Sequence, residues 1–148
     1  MLKKTVLIAL LVAAILVPSA LAFRVGDSKW GDTRDQVTER LTRLGWNILP
    51  SSFPQMIEAE AFLAGDPCRV QFMFNKNLRL SKIRTTWDTT QVGAGLKKEL
   101  TKEYGAPHHA GDYTRHYEWY GSFRGEEIVL DFFDRGTRLT FDGGNDYR

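Results

Sequence analysis

The sequence predicts an α+β fold of two layers, in which a helix followed by a three-stranded meander is repeated twice and the helices pack on one antiparallel sheet. Three observations support this prediction. Two segments repeat apolar residues at the spacing of one helical face, and several others alternate apolar and polar residues as half-buried strands do. Turn residues separate these segments at similar intervals in both halves. Such an order is typical of two-layer domains with one core.

The first helix is predicted to begin at Thr33 and to end at Gly45. Thr33 and Gln36 fit a capping box, in which a hydroxyl and a side-chain amide each satisfy a free backbone N–H. Gly45 tolerates the left-handed conformation that closes many helices. One face of the predicted helix carries Val37, Leu41 and Leu44.

Three strands are predicted to follow this helix, at residues 56–63, 69–74 and 78–87. The second is the clearest, because its alternating apolar residues share one face: Val70, Phe72 and Phe74. In the third strand, Leu80 and Ile83 are three residues apart and break the period of two. A β-bulge is therefore expected between them.

The second helix is predicted to start near Thr89 or Thr90 and to stop at Gly105 and Pro107. Its apolar stripe consists of Val92, Leu96, Leu100 and Tyr104. Three more strands are predicted after it, at residues 113–120, 127–133 and 137–141.

Residues 30–88 and 89–142 show the same order of predicted elements, which indicates an internal duplication. Each half has one apolar helical stripe and one apolar sheet face, so neither half buries much surface alone. If the apolar stripes of both helices pack on one continuous sheet, the two halves share a single core. The opposite face of that sheet is then free to be hydrated or to hold a partner, and Met73 lies on it by alternation.

Residues 1–22 are predicted to be a signal peptide that is cleaved after Ala22, leaving one domain at residues 23–148. A basic start, a short apolar run over residues 6–17 and small residues before the cleavage point are the three parts of such a signal. The alternative is an uncleaved membrane anchor, but a spanning helix needs about 20 apolar residues. The expected location is the periplasm or the outside of the cell, with no membrane span after cleavage.

Charge and cysteine content narrow the class of protein further. Without Lys3 and Lys4, the 20 basic side chains fall to 18 and equal the 18 acidic ones, so we expect no binding to nucleic acid. Phe23, not a cysteine, follows the predicted cleavage point, and no lipid anchor is expected. Cys68, the only cysteine, is either a small buried hydrophobe or a thiol that pairs between chains. The oligomeric state stays open.

The segment Trp30-Gly31-Asp32-Thr33, followed by a helix, opens the first of two tandem halves. This order of elements in a small exported chain resembles the β-lactamase inhibitor protein fold. One half is similar to the outer-membrane assembly lipoproteins of the SmpA/OmlA type. The resemblance covers most of the mature chain as a pattern, and the chain departs from it in having no lipobox and no cysteine pair within each half. It implies the fold type and a role in protein binding, and it assigns no functional residue.

One cluster of side chains is suited to metal binding, because imidazoles and carboxylates are ligands for zinc and copper. Its members are His108, His109, Asp112 and His116. The alternative is a solvated loop, since adjacent histidine side chains diverge in an extended chain. No cofactor and no catalytic residue are predicted, because no phosphate-binding loop, serine-nucleophile or calcium-loop motif is complete.

Alternation on the strand at 113–120 places His116, Glu118 and Tyr120 on one face. If the other face is core, Tyr120 and the nearby Phe123 form a surface contact patch, and Met73 adds an apolar contact on the sheet. We therefore expect a non-catalytic module that binds another periplasmic or envelope protein or assists envelope assembly. The alternative is a metal-binding protein or metal-dependent enzyme that uses the four predicted ligands.

Overall fold

One antiparallel sheet of eight strands forms most of the structure, a computed structural model that describes residues 25–111, 115–121 and 125–143. The strands are β1 (Asn47–Leu49), β2 (Met56–Leu63), β3 (Asp66–Phe74), β4 (Leu80–Trp87), β5 (His109–Ala110), β6 (His116–Tyr120), β7 (Glu127–Phe132) and β8 (Thr137–Asp142). Their order across the sheet is β1-β2-β3-β4-β8-β7-β6-β5. The helices are α1 (Arg34–Arg43), α2 (Gln91–Tyr104) and a short 3-10 helix at Val25–Asp27.

Alternating side chains explain the two faces of this sheet. In β3 the buried residues are Cys68, Val70, Phe72 and Phe74, and the residues between them are at least partly exposed. The same alternation continues through β4 and β8. Because successive strand residues point to opposite faces, one face of the sheet is apolar and the other is polar. Cys68 is thus buried, which was one of the two alternatives for it.

Strands β4 and β8 join segments that are far apart in the chain. Thr85 pairs with Leu139 and Ile83 with Phe141, so the middle of the sheet depends on long-range pairing. Side chains from both halves of the described chain then share one hydrophobic cluster. The bulge expected in β4 is confirmed, since the pairing with β3 shifts between Lys82 and Leu80.

The capping box at the start of α1 is confirmed. The backbone N–H of Gln36 donates to the Thr33 hydroxyl at 3.3 Å, and the N–H of Thr33 donates to the Gln36 amide oxygen at 2.9 Å. Val37 and Leu41 are fully buried in the core. Leu44, also predicted on this face, lies instead at the C-terminal cap and is 47% exposed.

Helix α2 buries Val92, Leu96 and Leu100, three members of its predicted stripe. Gly93 is buried as well, because a Cβ at this position would lie only 1.9 Å from the Phe132 ring. Glycine therefore permits a close approach between α2 and the end of β7. At the start of α2 the Thr90 side chain makes no capping hydrogen bond, and the Thr89 hydroxyl accepts the backbone N–H of Gln91 at 3.2 Å.

The predicted fold class is wrong. The described chain is mostly β, with eight strands in one sheet and only two α-helices, and not a helix-plus-three-strand meander repeated twice with helices packed on a sheet. Pairing between strands, rather than between helix and sheet, makes most of the contacts between elements. Strands β1 and β5 were not predicted, because segments of three and two residues are too short to show alternation. The internal duplication stays a prediction.

Some predictions concern residues that the structure leaves undescribed. These are the signal peptide at 1–22, Asp112, Phe123 and the start of the strand predicted at 113–120. Within the described ranges, no helix combines the length and the apolar character needed to cross a membrane.

Candidate functional site

The polar face of the sheet, called the open face below, consists of the strand side chains that alternate with the core residues. Every one of them is at least partly exposed. Strand register aligns them in rows across the sheet, and one row comprises Glu60, Arg69, Thr86, Arg138, Asp131 and His116. The next row comprises Glu58, Gln71, Arg84, Thr140, Val129 and Glu118. Basic residues thus occupy the middle strands, and acidic residues lie on both sides of them.

Arg84 on β4 and Arg138 on β8 are neighbours at the centre of the open face. Arg84 pairs with Thr140, and Thr86 pairs with Arg138, so the two arginines are diagonal to each other on adjacent strands. The Nε atom of each is buried and has no hydrogen-bond partner among the described residues. A buried N–H without a partner costs about 1–3 kcal/mol, so two of them side by side are an unusual feature of a folded sheet.

An open cleft of about 680 Å³ lies beside this pair. Its lining includes Arg69, Thr86 and Asp88 as well as both central arginines. The exposed Arg69 guanidinium forms an ion pair with the partly buried Glu58, with 3.6 Å between Nε and Oε1. The cleft can therefore hold an acidic group against three guanidinium groups.

The side chain of His116 on β6 is held between two carboxylates at the other end of the open face. Its Nδ1 lies 2.5 Å from Asp131 Oδ1 on β7, and its Nε2 lies 2.6 Å from Glu118 Oε1. Hydrogen bonds to Glu118 and to Asp131 raise the pKa of His116, because both carboxylates favour its charged form. The same contact with His116 lowers the pKa of Glu118.

His108, just before β5, contacts the second oxygen of Glu118, with 3.2 Å between Nε2 and Oε2. Its ring stacks on the ring of Tyr120, with centroids 3.9 Å apart and planes 5° from parallel. Glu127 at the start of β7 completes this group. The ligand atoms of His108, Glu118 and Glu127 all lie within 4.8 Å of one another.

The structure brings some of the predicted metal ligands together and separates others. His108 and His116 meet through Glu118, whereas His109 is exposed on β5 with its ring centroid 5.9 Å from that of His116. Sequence reasoning missed Glu127 and Asp131, which come from a neighbouring strand. It did place His116, Glu118 and Tyr120 on one face, and that alternation was the signal for Glu118.

The predicted contact residues lie at the rim and on the surface of the open face. Tyr120 is 69% exposed at the end of β6, and Met73 is half-buried on β3. Strands β4, β8 and β7 lie between them in the sheet, so the two residues do not form one continuous patch. Their role in binding stays a prediction.

No protein-family model matches this chain, and neither a curated protein nor a solved structure does. The resemblance to the β-lactamase inhibitor protein fold and to the SmpA/OmlA lipoproteins therefore stays a prediction.

Proposed function

We propose that this protein is an exported, non-catalytic module that binds an acidic segment of another periplasmic or envelope protein on its open face. The observation that carries the proposal is the central pair of arginines. The buried Nε atoms of Arg84 and Arg138 have no hydrogen-bond partner among the described residues. They lie beside the cleft of about 680 Å³, which has room for one or two side chains of a partner.

A carboxylate is the group that best completes such a pair. Guanidinium N–H groups bind carboxylates in a two-point geometry, and these charge-assisted hydrogen bonds are about twice as strong as neutral ones. A partner's Asp or Glu in the cleft would supply the missing acceptors once the two arginine side chains rotate to turn their Nε–H groups toward it. The free energy spent on burying the two N–H groups in the free protein is then recovered in the complex.

The shape and charge of the open face favour a protein partner. The face extends over six strands and presents a basic centre between acidic borders, such as Glu58 on one side and Asp131 on the other. A small anion would contact only the basic centre. A protein is large enough to contact the acidic borders as well, and these contacts can fix its orientation on the face. Electrostatic complementarity of this kind gives specificity and a faster association rate.

The location rests on the signal peptide predicted at residues 1–22. A basic start, a short apolar run and small residues before the cleavage point support export. The proposed partner is therefore a protein of the periplasm or the cell envelope.

Site-specific photo-crosslinking in cells tests this proposal. A photoreactive phenylalanine analogue replaces Thr86 or Thr140, beside the arginines, and the control position is Lys98, which is exposed on α2. We expect both open-face positions to crosslink the same envelope protein, through an acidic segment that mass spectrometry identifies. Position 98 should not capture it.

The arginine substitutions provide the specific control for that experiment. Arg84→Met with Arg138→Met should reduce the crosslink by roughly thirtyfold, because loss of a buried charge contact costs about 2 kcal/mol or more. Arg43→Met makes the same change on α1, where the ion pair with Glu39 is exposed on both sides, and should have no effect. Equal crosslinking by the double variant, or capture through a segment without acidic residues, contradicts the proposal.

A further inference from the structure

A second group of polar side chains lies toward the β5 edge of the sheet, and the proposed partner contact does not use it. His108, Glu118 and Glu127 come from three successive segments of the sheet edge, and each offers one ligand atom to a common point. Two of the three are carboxylates, so their negative charges converge there. Glu127 has no ion pair with any described side chain, and that charge is left without a counter-ion of its own.

We propose that His108, Glu118 and Glu127 bind a divalent transition-metal ion, and that zinc is the ion that fits these ligands. Imidazole nitrogen and carboxylate oxygen bind zinc at about 2.0–2.2 Å. Ligand atoms that already lie within 4.8 Å of one another need only small side-chain rotations to reach that geometry. Three protein ligands leave one tetrahedral position for water or for a group of a binding partner.

The carboxylate of Glu118 is already oriented for this role. His116 holds its Oε1 at 2.6 Å, and Asp131 holds the other nitrogen of His116 at 2.5 Å. The free oxygen, Oε2, consequently points toward His108 Nε2, 3.2 Å away. Outer hydrogen bonds that fix a ligand in this way commonly contribute about 10–100-fold to metal affinity.

The imidazole of His108 is oriented independently of that chain of hydrogen bonds. Stacking on Tyr120 fixes the plane of its ring at the edge of the group. A metal ion bound there would lie between His108 Nε2 and Glu118 Oε2 and replace their direct contact. His116 and Asp131 then act as positioning residues, whereas His108, Glu118 and Glu127 are the ligands.

Zinc titration of the metal-stripped protein tests this site, with a colorimetric chelator as competitor. We expect one zinc ion per chain for the unmodified protein. Glu118→Gln and Glu127→Gln should each weaken zinc binding by at least about tenfold, because an amide is a poor zinc ligand. Both side chains are partly exposed, so the substitutions should leave the circular dichroism spectrum unchanged.

Two control variants distinguish a specific site from a general effect of surface charge on zinc uptake. Glu60→Gln makes the same chemical change at the far edge of the open face and should leave zinc affinity unchanged, as should Arg84→Met with Arg138→Met. The latter variant also separates this proposal from the proposed function, since it removes the partner contact alone. Substoichiometric zinc uptake, or equal affinity in the Glu118 and Glu60 variants, would overturn the metal site.

Discussion

Arginines in this protein differ sharply in how their donors are satisfied. Arg40 on α1 pairs with the buried carboxylate of Asp32, which also accepts the backbone N–H of Lys29 at 2.7 Å. One terminal nitrogen of Arg34 donates to three backbone carbonyls, those of Phe53, Pro54 and Met56. The donors of these two arginines are used in contacts within the chain. The Arg138 guanidinium lies over the Phe133 ring, with 4.6 Å between Cζ and the ring centroid. The Nε atoms of Arg84 and Arg138 nevertheless have no hydrogen-bond acceptor among the described residues, which is why we assign these arginines to an interface.

The thiol of Cys68 should react slowly while the protein is folded. Its side chain donates to the carbonyl of Ala61 at 3.5 Å, and burial raises its pKa to about 11. A raised pKa means less thiolate at a given pH, so at pH 8 roughly one thiol in a thousand is ionised, against about a quarter in an unfolded chain. We expect alkylation by iodoacetamide to be at least about a hundredfold slower than in denaturant.

Quantitative mass spectrometry over a time course measures both alkylation rates. Rapid labelling of the folded protein, or a dimer that reductant dissociates, contradicts the buried environment of Cys68. The protein in denaturant serves as its own control, because Cys68 is the only cysteine.

For single side chains, the sequence predicts which residues share a face of one strand. It does not predict which residues of two neighbouring strands lie opposite each other. The sequence placed His116 and Glu118 on one face of the strand that became β6. Asp131 reaches His116 only because β7 pairs with β6 in one register, which brings these two residues opposite each other. A shift of one residue would turn Asp131 toward the core, and no local pattern specifies that register.

Two glycines of α2 provide a matched pair of substitutions. Gly93→Ala places a methyl group 1.9 Å from the Phe132 ring, so we expect destabilisation of about 1–3 kcal/mol from overpacking. Gly95→Ala meets no atom within 4 Å and should stabilise the protein by roughly 0.5–1 kcal/mol, because alanine favours the helix. Denaturant unfolding followed by circular dichroism measures both changes. Equal effects of the two substitutions would show that α2 does not approach β7 closely.

Whole elements were predictable where they carry their own local signal. The start of α1 has a capping box between Thr33 and Gln36, and β3 has a clear alternation. The edge strands β1 and β5 have neither, and they form because a longer neighbour, β2 or β6, offers free backbone groups for pairing. Short edge strands of this kind depend on tertiary context and not on local sequence.

At the scale of the whole molecule, one sheet separates a buried apolar face from an open polar face. The α+β prediction was wrong because it gave the two helical patterns the weight of a full second layer, whereas most contacts between elements are made by paired strands. The register of β4 against β8 has no local signal in the sequence. That pairing places Arg84 beside Arg138, although 54 positions of sequence separate them. The same sheet carries the proposed metal ligands at its β5 edge, so partner contact and metal binding occupy separate regions of one surface.

The most direct test of this view is the stability of Arg84→Met with Arg138→Met, measured by denaturant unfolding. If the two guanidinium groups serve a partner rather than the fold, their removal should leave the free energy of unfolding within about 1 kcal/mol of the original or raise it. Arg40→Met, which strips the buried Asp32 of its partner, should instead lower it by about 1–3 kcal/mol. A loss in the double variant as large as that of Arg40→Met would show that the central arginines hold the sheet together, and would contradict their assignment to a binding surface.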